Sequence, residues 1–330
     1  MKNREIIGKL RVCAKNLLDV ARELQAMDRA ESPRTEDLIE KVVASSEGGA
    51  RKFELPFVLG QDDFGEDVIV ELARLPHLLI GGASGRGKTT CLNSLLAGLI
   101  GTKTPEDVRF IVYDPKRVEF VWANGLPHLA MPVISDASRM MQTLIWLALE
   151  MERRLKMFTR TYCRNIGEFN GRNRIGDLPA DMPKTVPYIV VVIDELADLM
   201  LAHGKEVVQQ IARITATGRA AGIHLVVATS CPDCMAASGL LKANILGRLA
   251  FQTLNSIDSR AVIDDVGAEL LNERGDFMFR NGSEEIVRGQ GAYISAETMT
   301  KLVEDAKRKY GKPDYSMCKI DEDATVPKEA

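Results

Sequence analysis

Residues 77–100, HLLIGGASGRGKTTCLNSLLAGLI, constrain this chain more than any other stretch. A short apolar run leads into a burst of glycine with one lysine, and then into residues whose apolar members recur at helical spacing. Gly82, four residues, Gly87, Lys88 and Thr89 satisfy the spacing G-x-x-x-x-G-K-[ST] in full. Glycines at such a turn let successive backbone N–H groups curl around phosphate oxygens, and the following helix adds the positive end of its dipole. Gly82, Ala83, Ser84, Gly85, Arg86, Gly87, Lys88, Thr89 and Thr90 are therefore the expected cradle for a nucleotide's phosphates. Lys88 would reach the β- and γ-phosphates, and the Thr89 hydroxyl would hold Mg²⁺. A bare glycine turn ending a strand is the competing reading, and the strand–loop–helix context argues against it.

A phosphate loop of this kind needs a parallel sheet around it, and the rest of the chain supplies the rhythm. Apolar runs at 78–80, 109–113, 188–193, 223–229 and 248–253 are bounded by Gly, Asp or Pro and separated by helical segments. That alternation implies an α/β fold whose mostly parallel central sheet is flanked by helices on both faces. The longest helix is expected over 137–160, where Met140, Met141, Leu144, Ile145, Ala148, Met151, Leu155 and Phe158 repeat at helical spacing. Its methionines read as core filler.

Hydrolysis of a bound nucleotide needs acidic groups at the same edge of the sheet. The run YIVVVIDELADLM places Asp194 and Glu195 directly after five apolar residues, Ile189–Ile193. A buried strand would deliver both carboxylates to its carboxyl end, where the phosphate loop also opens. Asp194 would hold Mg²⁺ through water. Glu195 is placed to deprotonate an attacking water. Taken alone, the same pattern also fits an acid pair at a helix N-terminus.

The bounds are those of an ordinary soluble globular protein rather than a membrane or disulfide protein. The chain has 330 residues, 45% hydrophobic and 27% charged, with no apolar run long enough to span a bilayer. The six cysteines (13, 91, 163, 231, 234 and 318) are scattered, which suits a reduced cytoplasmic protein. Net charge is −3, so a nucleic-acid partner would need a local basic surface. By composition the chain divides into a helical N-terminal segment and linker (1–50), an α/β domain (51–310) and a polar tail (311–330) expected to be disordered.

The series PHLLIGGASGRGKTT, TPEDVRFIVYDPKRVEF, LPHL, LEMERRLKMF, YIVVVIDELADLM, GRAAGIHLVVAT, LLKANILGRLAFQT and SIDSRAVID resembles the motor domain of the FtsK/SpoIIIE DNA translocases, in order, over about residues 55–295. The resemblance implies a RecA-like sheet, a homohexameric ring around double-stranded DNA, and movement driven by ATP hydrolysis. It implies an arginine finger supplied in trans, at Arg219, although an arginine on a helix ending in glycine is by itself as well read as a solvated side chain. It implies DNA contacts at Lys242 and Arg260.

The sequence also departs from that pattern. The family's N-terminal membrane helices and C-terminal winged-helix module have no counterpart, and residues 1–50 do not match its adaptor domain, so a trimmed form or a short stand-alone relative is expected. Arg86 stands where a small residue is usual and is expected to face solvent. In TSCPDC, Ser230 replaces a glutamine expected to sense the γ-phosphate, and Cys231 replaces an arginine associated with the DNA-facing surface. Ser256 stands where a lysine is common. Cys231 and Cys234 form a C-x-x-C pair open to metal, redox or unremarkable-thiol readings, and zinc would need two further ligands. A second functional reading is a related P-loop ATPase of a secretion or conjugation system that moves protein or DNA.

Overall fold

The computed structural model describes residues 32–47, 53–75, 77–232, 239–282 and 284–318. The helices expected in the first thirty residues, the linker after Glu47, Cys234 and the last twelve residues lie outside that set. The strands are β1 (Pro56–Asp62), β2 (Asp67–Glu71), β3 (Leu78–Gly81), β4 (Val108–Tyr113), β5 (Tyr188–Ile193), β6 (Ile223–Thr229), β7 (Gly247–Ala250), β8 (Asp276–Asn281) and β9 (Val287–Gly291). They form one sheet in the order β2-β1-β9-β8-β7-β3-β6-β5-β4.

The sheet has two parts. From β7 through β4 every neighbour is parallel, as the alternation of strands and helices implies. From β7 outward through β8, β9, β1 and β2 every pairing is antiparallel. This antiparallel wing is not evident in the sequence. Two of its strands, β2 and β9, are only five residues long and mostly half-buried, and the hairpin between β1 and β2 turns on Asp62, whose carboxylate accepts from the Phe64 and Glu66 amides at 2.8 and 2.9 Å.

In the parallel part, successive side chains of each strand enter opposite cores. Val190 and Val192 join Leu92, Leu95, Phe110 and Phe158 on one face, whereas Ile189, Val191 and Ile193 join Ile111, Leu144 and Ile211 on the other. Both faces are dry, so these strands read as unbroken apolar runs rather than alternating ones. Each buried Val or Ile contributes roughly 1.5–3 kcal/mol of transfer free energy. The helix Ala137–Arg160 has the expected bounds, begins on an Asp136 cap that accepts from the Arg139 amide, and buries Met140, Met141 and Met151.

One buried cation ties that helix to the amino ends of the strands. Arg154, 1% exposed, donates to the Glu150 carboxylate at 2.7 Å and to the Pro187 and Ala221 carbonyls at 2.8 and 3.0 Å. The residues after the last helix, Ala296–Tyr310, were expected to be disordered, but those up to Cys318 are laid against the body of the protein. The Arg109 guanidinium donates to the Asp314 carbonyl and Cys318 is buried, so a polar composition did not prevent docking here.

Candidate functional site

The phosphate loop joins β3 to the helix Lys88–Thr102. Gly82 and Gly87 have φ of 150° and 117°, backbone that side chains rarely adopt, and both are also crowded. A Cβ on Gly82 would lie 2.9 Å from Phe251 Cβ, and one on Gly87 would lie 3.1 Å from Gly275 Cα. The loop is thus pressed onto the exit of β7 and the entrance of β8. Its backbone is pinned there by the Ala83 amide, which donates to the Gln252 carbonyl at 2.8 Å. The helix that follows starts from Gly87 with no side-chain cap and no acidic residue in its first turn. Its first N–H groups therefore lack side-chain acceptors, and together with the dipole they suit an anion. Ser84 and Gly85 are exposed at the tip, and Thr89 and Thr90 occupy the first turn, half-buried.

Lys88 turns back on its own loop and donates to the Gly82 and Ala83 carbonyls at 2.7 and 3.0 Å. Burial lowers its pKa, while Glu195 and Asp194 favour its charged form. A phosphate oxygen in the loop would compete with these two carbonyls for the ammonium. Arg86 is not the solvated side chain the sequence suggests. It is paired with the Glu273 carboxylate, because Gly275 packs against Gly87 and brings the 273–275 turn within reach.

Asp194 and Glu195 follow β5 and are 6% and 5% exposed. Asp194 is pushed up to about 6, first by burial and then by the nearby Glu119 carboxylate, with Lys116 opposing. Glu195 caps the helix Leu196–His203, accepting from the Ala197 amide. It also accepts from the Thr229 hydroxyl at 2.9 Å, from the Ser230 amide at 3.1 Å to each oxygen, and from the Ser230 hydroxyl. Ser230, expected at a γ-phosphate-sensing position, is instead bonded to the candidate base.

The segment after β4 supplies groups that the sequence did not single out as site residues. Asp114 accepts from the amides of Arg117, Glu119 and Phe120 at 2.9–3.1 Å. That fold of the loop carries Lys116 and Glu119 to the neighbourhood of Asp194. The signal was present in YDPKRVEF, where a buried strand ends on an acid followed by Pro and charged residues, as β5 also ends on acids.

Arg219 is not brought to this edge. It is exposed near the end of the helix Lys205–Ala221, just before β6 begins, and lines a cleft of about 470 Å³ with Glu54, Glu71, Arg74, Arg164 and Tyr188. A strand of six or seven residues spans ~20 Å, so Arg219 lies at the far edge of the sheet from the phosphate loop. Lys242 and Arg260 do come together: the Lys242 ammonium donates to the Arg260 carbonyl at 3.1 Å and to Asp264 at 2.7 Å. Lys242 is therefore already paired, whereas the Arg260 side chain is exposed.

Residues 39–238 match the model of the FtsK/SpoIIIE family. The chain belongs to the FtsK/SpoIIIE family. It is 42% identical over 273 residues to a DNA translocase FtsK of Leptospira interrogans, with 82% of this chain and 29% of that protein covered. It is 41% identical over 293 residues to the DNA translocase FtsK of Haemophilus influenzae, with 83% and 55% covered. The chain thus spans between about a third and a half of the length of these FtsK relatives. Among solved structures it is similar to the pCW3 conjugation coupling protein TcpA, in its monomer form with ATPgS, at 26% identity and a TM-score of 0.65, covering 77% of this chain and 71% of that one. The cytoplasmic domain of the Thermomonospora curvata Type VII secretion ATPase EccC shares the fold, with a TM-score of 0.67 at 23% identity, covering 79% of this chain and 32% of that one. Among the described residues no helix is long and apolar enough to cross a membrane.

Proposed function

We propose that this chain is the motor of an ATP-hydrolysing ring, a homohexamer that moves double-stranded DNA in the cytoplasm. The observation that carries the reading is the convergence of three groups at one edge of the sheet: an uncapped helix N-terminus behind a glycine loop, Lys88, and the acid pair Asp194–Glu195. These residues fit a magnesium nucleotide. The loop amides and Lys88 would hold the phosphates, and Thr89 and Asp194 would hold the ion. The ion would neutralise charge on the β- and γ-phosphate oxygens. Glu195 would take the proton of the attacking water. Each of these groups acts on charge that develops at the γ-phosphoryl group, where positioning and electrostatics supply most of the acceleration.

A further cation at the γ-phosphoryl group would complete this edge. Arg219 fits that role only from another copy, since its own phosphate loop lies across the sheet. Heterologous contact of one copy's Arg219 edge with the next copy's phosphate edge closes into a ring when the rotation closes. Lys242 and Arg260 would face DNA phosphates, and the pairing of Lys242 with Asp264 weakens its share of that contact.

The likeness to a conjugation coupling protein keeps a second reading open, an ATPase that drives transfer through a secretion or conjugation system. ATP turnover by the purified chain with and without double-stranded DNA separates the two. Stimulation by DNA is the expected result. Turnover indifferent to DNA at low salt would overturn the translocase reading.

A further inference from the structure

We propose that Ser230, together with Thr229, is a positioning residue that holds the Glu195 carboxylate away from the attacking water and thereby sets the resting rate of hydrolysis. This rests on Glu195 being the base. The register of the sheet builds the contact. β5 and β6 are parallel, with Ile193 opposite Val227, so the residues just past both strands lie side by side and Glu195 meets Thr229 and Ser230. Four donors converge on it: the Ala197 amide, the Thr229 hydroxyl, the Ser230 amide and the Ser230 hydroxyl. A carboxylate offers about four lone-pair directions, so these donors leave none aimed at a water. A general base must be within hydrogen-bond reach of the proton that it takes. As held here, Glu195 spends its acceptor capacity on its own helix and on the end of β6.

The two hydroxyls differ in what they can do instead. Thr229 has a second acceptor within reach, the Cys231 carbonyl at 3.3 Å, and its oxygen already accepts from the Cys231 amide at 3.1 Å. Its single proton can turn from Glu195 to that carbonyl without leaving anything unpaired. The Ser230 side chain is exposed and bonds to Glu195. The Ser230 hydroxyl is therefore the side-chain tie that must break, along with the Ser230 and Ala197 amide bonds, before Glu195 can swing toward the phosphate loop.

The test uses the full chain, with ATP turnover measured without DNA over a range of ATP concentrations. A hydrogen bond to a charged acceptor is worth about tenfold in an equilibrium constant, so Ser230→Ala should raise the DNA-free kcat by up to ~10-fold. The KM for ATP should stay at the parent value, because the clasp touches no phosphate group. Ser230→Thr keeps the hydroxyl and should restore the parent rate. Thr229→Val, which keeps the shape of a buried side chain, should move kcat in the same direction by less. Glu195→Gln should lose hydrolysis, and Ser230→Ala added to it should gain nothing, since Ser230 acts through Glu195. A kcat at or below the parent in both Ser230→Ala and Thr229→Val, with Glu195→Gln inactive, would overturn the clasp and leave the base assignment standing. Parent-like turnover by Glu195→Gln would remove the base assignment, and the clasp with it.

Discussion

At the carboxyl edge of the parallel strands, the Lys88 ammonium and the Glu195 carboxylate are held by hydrogen bonds to their surroundings, and Asp194 and Glu195 are both almost fully covered. At the amino edge, Arg219 and Arg74 are exposed and make no ion pair among the described residues. Lys88 and Glu195 thus find partners within their own chain, whereas these two arginines find no ion pair among the described residues. A side chain that costs entropy to order and has no partner at home is suited to a partner elsewhere. If Arg219 is the finger proposed above, each edge carries half of a phosphoryl-transfer site, and the halves of one chain lie at opposite ends of the same strands.

The largest effects should come from breaking that division. Arg219→Ala is expected to bind ATP and assemble but to lose ~10³-fold or more in kcat, as removal of a finger in trans does. Mixed with Glu195→Gln, itself slowed by ~10²-fold or more for want of a base, it should regain measurable activity, because one kind of mixed interface contains both intact groups. Turnover measured on the two variants apart and together checks this. Full activity of a dilute monomer, with no gain on mixing, would mean that the two edges are unrelated.

Next in size is the brace beneath the amino edge. Arg154 is buried with its Glu150 partner and holds the carbonyl of Ala221, two residues from Arg219. Arg154→Ala leaves a buried carboxylate without its ion pair on that side and should cost about 3–5 kcal/mol of stability in urea or thermal unfolding. A loss under about 1 kcal/mol would show that Glu150 is rescued by Arg153, which also pairs with it.

The carboxyl edge has its own signature with pH. Asp194 is raised from 3.8 to about 6 in the fold, so between those values the native state holds the proton that the unfolded chain has released. Stability contributed by the protonated group is present below about pH 4 and is lost as pH rises through 6. Asp194→Asn should flatten that slope and gain up to about 3 kcal/mol at pH 7, the free-energy equivalent of the shift. The same variant should lose magnesium-dependent turnover, and unfolding curves at pH 4 and pH 7 give the comparison.

The smallest effect is at the surface. Asp264→Asn would remove the charge that holds Lys242 in a half-exposed pair worth about 1 kcal/mol or less, leaving its bond to the Arg260 carbonyl. DNA affinity should rise slightly, and the slope of log affinity against log salt should steepen by about 0.9 if one phosphate contact is gained. An unchanged slope would place Lys242 away from the DNA.

The parallel half of this molecule was legible because its strands are dry on both faces and its longest helix carries a single apolar stripe. The bounds of Ala137–Arg160 followed from that stripe, and the helix starts on an Asp136 cap that the stripe does not announce. The phosphate loop and the acid pair were legible because their chemistry fixes both residue type and spacing. The antiparallel wing was not, since strands such as Asp67–Glu71 are half-covered throughout and alternate too weakly to stand out. The partners of Glu195 were not legible either. They depend on the register between β5 and β6, which brings residues thirty-four and thirty-five positions apart into contact, and no local pattern announces that. The pairing of Arg86 with Glu273 was hidden for the same reason.

Gly82 rests on Phe251, and the Ala83 amide is bonded to Gln252, so the phosphate loop and the stretch leading to Ser256 and Arg260 share one rigid seam. A seam of this kind works in both directions. If nucleotide in the loop shifts the seam and so changes the hold on DNA by some factor, thermodynamic reciprocity requires DNA to change the hold on nucleotide by the same factor. Fuel and track would then be two ligands of a single equilibrium, and either binding curve, measured with and without the other ligand, would give the coupling free energy between them.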